Sequence, residues 1–125
     1  GHIQEAKQVI READSLRIQG CLYQDSTCIS RAIAVLSPLK YIYPTDYAKA
    51  NYYCGRLLRE RNLQLDAMQC FLKALHSNTQ DNDLRGRIYT NIAIMCRLEG
   101  NHLLSYEMFE ISAQSLLKNQ DSIAY

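Results

Sequence analysis

The strongest structural signal in the sequence is residues 47–77, YAKANYYCGRLLRERNLQLDAMQCFLKALHS, which predict two helices folded back on each other. Gly55 lies in the middle of the first helix, where glycine costs about 1 kcal/mol relative to alanine. We therefore expect a neighbouring helix to pass close to it. Ala67 and Ala74 flank Phe71 on one face of the second helix, because helical residues three and four apart share a face.

The same order of residue sizes recurs once further along the chain. Each copy has a small and a large residue in its first helix, then a turn residue that tolerates the left-handed conformation. Small, aromatic and small residues follow in the second helix. The first copy is Gly55, Leu58, Asn62, Ala67, Phe71 and Ala74, and the second is Ala93, Cys96, Gly100, Ser105, Phe109 and Ser112. This pattern resembles the tetratricopeptide repeat, a helix–turn–helix unit of about 34 residues.

The resemblance implies an all-α fold: a right-handed α-α superhelix, or solenoid, built from antiparallel helix pairs. An apolar stripe at a period of 3.6 residues between residues 3 and 18 adds a further amphipathic helix. The predicted division is a tag remnant at 1–2, a degenerate N-terminal helical hairpin at 3–44, repeat units at 45–80 and 81–118, and the start of a truncated repeat at 119–125.

Capping residues mark where the predicted helices begin. Short polar side chains at these places can accept a hydrogen bond from the first backbone N–H groups of a helix. The candidates are Asp25 or Ser26, then Thr45 or Asp46, then Asp83.

Residues 3–60 also resemble the helical sensor regions of Bacteroidetes-type regulators and lipoproteins. The similarity lies in Ala13-Asp14-Ser15-Leu16 and in tyrosine-rich first helices. It implies a fragment of a larger regulator or scaffold in the periplasm. The five cysteines, an odd number without CxxC spacing, are interpreted instead as free thiols, which favour a cytoplasmic compartment. Both compartments stay open.

No nucleophile–base pair, phosphate-binding glycine loop or cluster of metal ligands is found in the sequence, so we expect no enzyme activity, cofactor or metal. No apolar run approaches the roughly 18 residues of a membrane-spanning helix. The formal net charge of +1 argues against nucleic acid as the partner.

The resemblance implies a concave groove lined by the first helix of each unit. Most of the candidate side chains in this groove are cations or tyrosines. Arginine binds carboxylates through two hydrogen bonds, and tyrosine adds flat contact area, so the predicted ligand is an acidic peptide or protein segment. The candidate groove residues are Lys49, Tyr52, Tyr53, Arg56, Arg59, Arg87, Asn91 and Arg97.

Two interpretations of these features remain open. In the first, the chain is a non-catalytic protein-interaction module that uses this groove. In the second, the charged face is merely solvated, and the repeats pack on their own copies or on neighbouring repeats. Ile111, Leu116 and Leu117 give the C-terminal edge an apolar character that favours self-association.

Overall fold

The protein is all-helical, which confirms the predicted fold class at the level of secondary structure. The computed structural model describes the backbone of residues 1–124 and the side chains of residues 1–118, and this part contains no strand. The α-helices are α1 His2–Ile18, α2 Ser26–Leu36, α3 Pro44–Glu60, α4 Gln64–Leu75, α5 Asn82–Leu98 and α6 His102–Ala124. A 3₁₀ turn, Ser37–Leu39, follows α2. The helices form two compact units, the first ending at Thr79 and the second beginning at Gln80.

Aspartate side chains cap two of the helices. Asp25 caps α2 as predicted, because its carboxylate accepts a hydrogen bond from the Cys28 backbone N–H at 3.0 Å. The cap predicted at Asp83 is wrong. Asp81 caps α5 instead, accepting from the Leu84 N–H at 3.0 Å, and Asp83 lies inside the helix.

The predicted cap of α3 at Thr45 or Asp46 is also wrong, because the helix begins earlier, at Pro44. Proline suits the first helical position, since its φ is already helical and the N–H that it lacks would have no partner there. Tyr43 takes the capping position without a side-chain hydrogen bond.

The core of the first unit lies where α1, α2 and α3 meet. The apolar stripe of α1 faces inward, as its spacing predicts, and small alanines alternate with large residues. The buried cluster consists of Ala6, Ile10, Ala32, Leu36, Tyr47 and Ala50. This packing fixes the position of α3 against both helices of the hairpin.

Helices α3 and α4 make the close approach that Gly55 predicts. A Cβ atom on Gly55 would lie 2.8 Å from the nearest ring carbon of Phe71, which is fully buried. Ala67 and Ala74, on either side of Phe71, are also fully buried. Asn62 joins the two helices with a φ of 61°, the left-handed conformation expected of it. The predicted helical pair is therefore present with its small and large residues in contact.

The second unit pairs α5 with α6 after a turn at Gly100, whose φ is 84°. Its helices also approach closely at a small residue, since the Ser105 hydroxyl donates to the Ala93 carbonyl at 2.8 Å. Phe109 is only half-buried, whereas its counterpart Phe71 is completely enclosed.

A second close approach in this unit lies at Gly86, which the size pattern does not include. A Cβ on Gly86 would lie 2.8 Å from the Leu116 side chain, and the Ser112 hydroxyl donates to the Gly86 carbonyl at 2.7 Å. The truncated repeat predicted at 119–125 stays a prediction, and the backbone of α6 is helical as far as Ala124.

Candidate functional site

A polar network on the α1-facing side of α3 contains two of the predicted groove residues. The Lys49 ammonium pairs with the Asp14 carboxylate at 2.8 Å. The Tyr53 hydroxyl donates to the other oxygen of Asp14 and accepts from Arg17 Nε at 3.1 Å. Burial, followed by the hydrogen bond to the Asp14 carboxylate, raises the pKa of Tyr53. These side chains already have partners within the unit, so the network joins α1 to α3.

Tyr52 is also buried, although the sequence places it among the groove residues. Its ring packs edge-on against Tyr53, with centroids 5.1 Å apart, and tilted against Phe71 at 6.3 Å. The Arg56 guanidinium lies 5.8 Å from the centre of the Tyr52 ring. The buried Tyr52 ring therefore makes a cation–π contact with the Arg56 guanidinium.

Three arginines lie close together at the C-terminal end of α3. A cleft of about 420 Å³ lies between this end and the α1–α2 connection. Arg56, Arg59 and Arg61 line it, and we call it the arginine cleft. Its other lining residues are Gly20, Leu22, Gln24, Leu57 and Glu60.

None of the ion pairs found among the described residues involves the three arginines of the cleft. The Nη1 atom of Arg59 is buried and has no hydrogen-bond partner among the described protein groups. A buried donor without a partner costs about 1–3 kcal/mol. A ligand reaches the accessible parts of these guanidinium groups rather than this buried atom. A carboxylate is the natural acceptor, because its two oxygens match the fork of a guanidinium. Glu60 supplies only one negative charge against three positive ones.

The predicted groove residues of the second unit have partners of their own. Arg87 forms an ion pair with Asp83 one turn earlier in α5. Arg97 lies over the ring of Phe109, 5.9 Å from its centre. The Asn91 amide donates to the Arg87 carbonyl at 2.8 Å, and its buried oxygen has no partner among the described groups. The groove as a whole draws on both units and stays a prediction.

Two cysteines meet at the interface of α3 and α4. The interaction with the Cys70 side chain lowers the pKa of the Cys54 thiol, although burial raises it. The same interaction raises the pKa of Cys70. Both residues are half-buried, whereas Cys96 is buried as its predicted packing role requires.

Groups of three or more histidine, cysteine, aspartate or glutamate side chains able to hold a metal ion are absent from the described part of the chain. None of its described helices is long and apolar enough to cross a membrane.

Comparisons of the chain with models of known protein families, with curated proteins and with solved structures found no match.

Sequence reasoning found Arg56 and Arg59 but missed Arg61, Asp14 and Arg17. Arg61 follows the last helical residue, so a helical period does not assign it to a face. Asp14 and Arg17 lie three apart on α1 beside its apolar stripe, and this spacing is the signal that would have placed them toward a neighbouring helix.

Proposed function

We propose that this chain is a non-catalytic interaction module of tetratricopeptide type that binds an acidic segment of a partner protein. The observation that carries the proposal is the arginine cleft. Arg56 and Arg59, both expected from the sequence to bind the ligand, lie there with Arg61 and without ion-pair partners among the described residues. A protein surface that holds three arginines and one glutamate around a concave space suits a ligand that brings carboxylates.

The repeat character of the proposal is supported by the packing within each unit. In the first unit the Phe71 ring fills the space that Gly55 leaves open. In the second unit the helices approach at Ala93, the counterpart of Gly55, where the Ser105 hydroxyl donates to its carbonyl. Left-handed residues, Asn62 and Gly100, end the first helix of each of these pairs. Such units bury their apolar faces on neighbouring units and leave one face of their first helices for ligands.

The test uses a fluorescein-labelled peptide of about twelve residues that alternates glutamate with glycine, at physiological ionic strength. Fluorescence anisotropy should show that the protein binds it and that the double variant Arg56→Glu/Arg59→Glu loses at least tenfold in affinity. Each charged hydrogen bond contributes about 1.5–3 kcal/mol, and about 1.4 kcal/mol corresponds to a factor of ten.

A matched control carries the same change in net charge at exposed arginines of the same unit outside the cleft. Arg11→Glu/Arg31→Glu is this variant, and it should bind the peptide nearly as well as the unmodified protein. Circular dichroism establishes that both variants are folded. If the cleft variant keeps its affinity, or if the control loses as much, the cleft is not the binding site.

A second candidate function is self-association, and the surface of α6 favours it. Leu103, Tyr106 and Leu117 share one face of this helix and are 72%, 62% and 56% exposed. Ile111 and Leu116, which the sequence assigns to the same apolar edge, are half-buried against the unit. An exposed apolar stripe of this kind is typical of a surface that packs on another protein chain.

A further inference from the structure

A second cleft in the first unit, of about 300 Å³, is also lined by cations. It lies between the segment that joins the 3₁₀ turn to α3 and the C-terminal end of α4. Its lining contains two lysines and a histidine but no carboxylate, whereas Glu60 lines the arginine cleft. We call it the lysine cleft, and the residues that line it include Lys40, Tyr41, Lys73, His76, Ser77 and Asn78.

The two lysines of this cleft are exposed, and none of the ion pairs among the described residues involves them. Cations often lie at the C-terminal end of a helix because its last carbonyl groups carry partial negative charge. In α4, however, the Ala74 carbonyl already accepts from the Ser77 hydroxyl at 2.7 Å and from the Ser77 backbone N–H at 3.3 Å. The ammonium groups of Lys40 and Lys73 therefore remain free to bind a ligand.

The hydrogen-bond donors of the lysine cleft suit a phosphate group. An ammonium group is a compact point charge that binds phosphate well, whereas the planar guanidinium fork matches a carboxylate. His76 adds an imidazole N–H, and the exposed Asn78 adds a side-chain amide. A phosphate monoester has three strongly accepting oxygens, so it can accept hydrogen bonds from several of these groups at once.

The cleft is larger than a phosphate group, and part of its wall is aromatic. The five heavy atoms of a phosphate fill about 150 Å³ if each takes the roughly 30 Å³ that a water molecule occupies. The Tyr41 ring in the wall is 82% exposed, and the Lys40 ammonium lies 5.4 Å from its centre. An exposed aromatic ring offers a flat surface on which the ring of a ligand can stack.

We propose that the lysine cleft binds a small phosphate monoester whose organic part is a flat ring, as in a mononucleotide. Lys40 and Lys73 bind the phosphate from the two segments that form the cleft, and His76 and Asn78 donate further hydrogen bonds. The ring of the ligand stacks on Tyr41. This ligand differs in chemistry from the acidic segment proposed for the arginine cleft, so the two sites can be tested separately.

The experiment titrates the whole isotope-labelled chain with adenosine monophosphate, adenosine or inorganic phosphate and follows the backbone amide signals by NMR. Adenosine monophosphate should shift the signals of Ser77 and Asn78 and bind more tightly than either of the other two compounds. The proposal is overturned if these signals do not move at millimolar adenosine monophosphate, if adenosine binds equally well, or if the shifts centre on Arg59 and Arg61 instead.

Variants assign the binding to particular side chains. Lys40→Glu/Lys73→Glu should lose roughly tenfold or more in affinity for adenosine monophosphate, since it removes both ammonium groups. Arg56→Glu/Arg59→Glu is the matched control, with the same change in net charge, and should bind this compound like the unmodified protein. Tyr41→Ala should weaken the binding of adenosine monophosphate but not that of inorganic phosphate. Circular dichroism establishes that the variants are folded. Unchanged affinity in the lysine variant, or an equal loss in the arginine variant, contradicts the assignment.

Discussion

Gly55 shows how a single residue sets the spacing of α3 and α4. Replacement by alanine adds a methyl group 2.8 Å from the buried Phe71 ring, and overpacking of this kind costs about 1–3 kcal/mol. Alanine also favours the helix by about 1 kcal/mol, which offsets part of this. We expect Gly55→Ala to lower the free energy of unfolding in urea, and Phe71→Ala to lower it by about 3–5 kcal/mol.

Phe71→Leu provides the control for this prediction, because it makes room for the added methyl group. In that background Gly55→Ala should cost clearly less than in the unmodified protein, and the difference measures the contact between the two positions. A stabilising effect of Gly55→Ala alone, as at an exposed helical glycine, would show that the ring is not held against α3.

The roles of these residues could be predicted because the order of small and large residues in the sequence depends directly on how closely the helices pack. The glycine, the aromatic residue and the left-handed Asn62 all have the roles that the sequence indicates. Tyr52 and Tyr53 were predicted as ligand-binding side chains and are buried instead. A helical period assigns residues to a face, but it does not reveal which neighbouring helix covers that face.

Among the helices, α2 offers a test of capping through pH. The hydrogen bond from the Cys28 backbone N–H, followed by that from the Cys28 thiol, lowers the pKa of Asp25 below its usual value. A carboxyl group with a lowered pKa in the folded state stabilises the protein above the unfolded pKa, near 3.9, and this stability is lost as the pH falls through the folded pKa. The melting temperature should therefore fall more steeply below about pH 4 in the unmodified protein than in Asp25→Ala.

Asp25→Asn separates the cap from its charge, because asparagine caps helices about as well as aspartate and does not titrate. This variant should keep most of its melting temperature at neutral pH and share the weaker acid dependence of Asp25→Ala. Other carboxyl groups titrate in the same range, so the comparison is made as a difference from the unmodified protein. Identical acid profiles for all three proteins would mean that the Asp25 hydrogen bond does not contribute to stability.

The existence of the helices was easier to predict than their first residues. Apolar spacing specified α1 and the pair α3–α4, because burial demands that spacing over several turns. The predicted first residues of α3 and α5 were wrong because several residues near the start of each helix can act as its cap. Pro44 fits the first turn better than the polar residues that follow it, and Asp81 rather than Asp83 lies where the chain turns into the helix.

At the scale of the whole molecule, the arginine cleft and the apolar stripe of α6 lie in different units. The first unit holds the arginine cleft, which the sequence indicated through Arg56 and Arg59 but not through Arg61. The second unit carries the exposed stripe of Leu103, Tyr106 and Leu117 on α6. The sequence indicated an apolar C-terminal edge without showing which of its residues pack inward, since that depends on Leu116 meeting Gly86. Ligand binding and self-association can therefore be tested with separate variants.

Self-association through α6 should appear as a molar mass that rises with concentration from the micromolar to the near-millimolar range in light scattering or sedimentation. Leu103→Glu/Leu117→Glu should hold the protein at its monomer mass, because burying a leucine contributes about 1.5–3 kcal/mol and a buried unpaired carboxylate opposes association. Ile18→Glu/Leu65→Glu is the control, since these exposed residues are 75% and 80% accessible and belong to the first unit. It should associate like the unmodified protein. A monomer mass for the unmodified protein at every concentration, or equal loss of association in both variants, rules out this face as the contact.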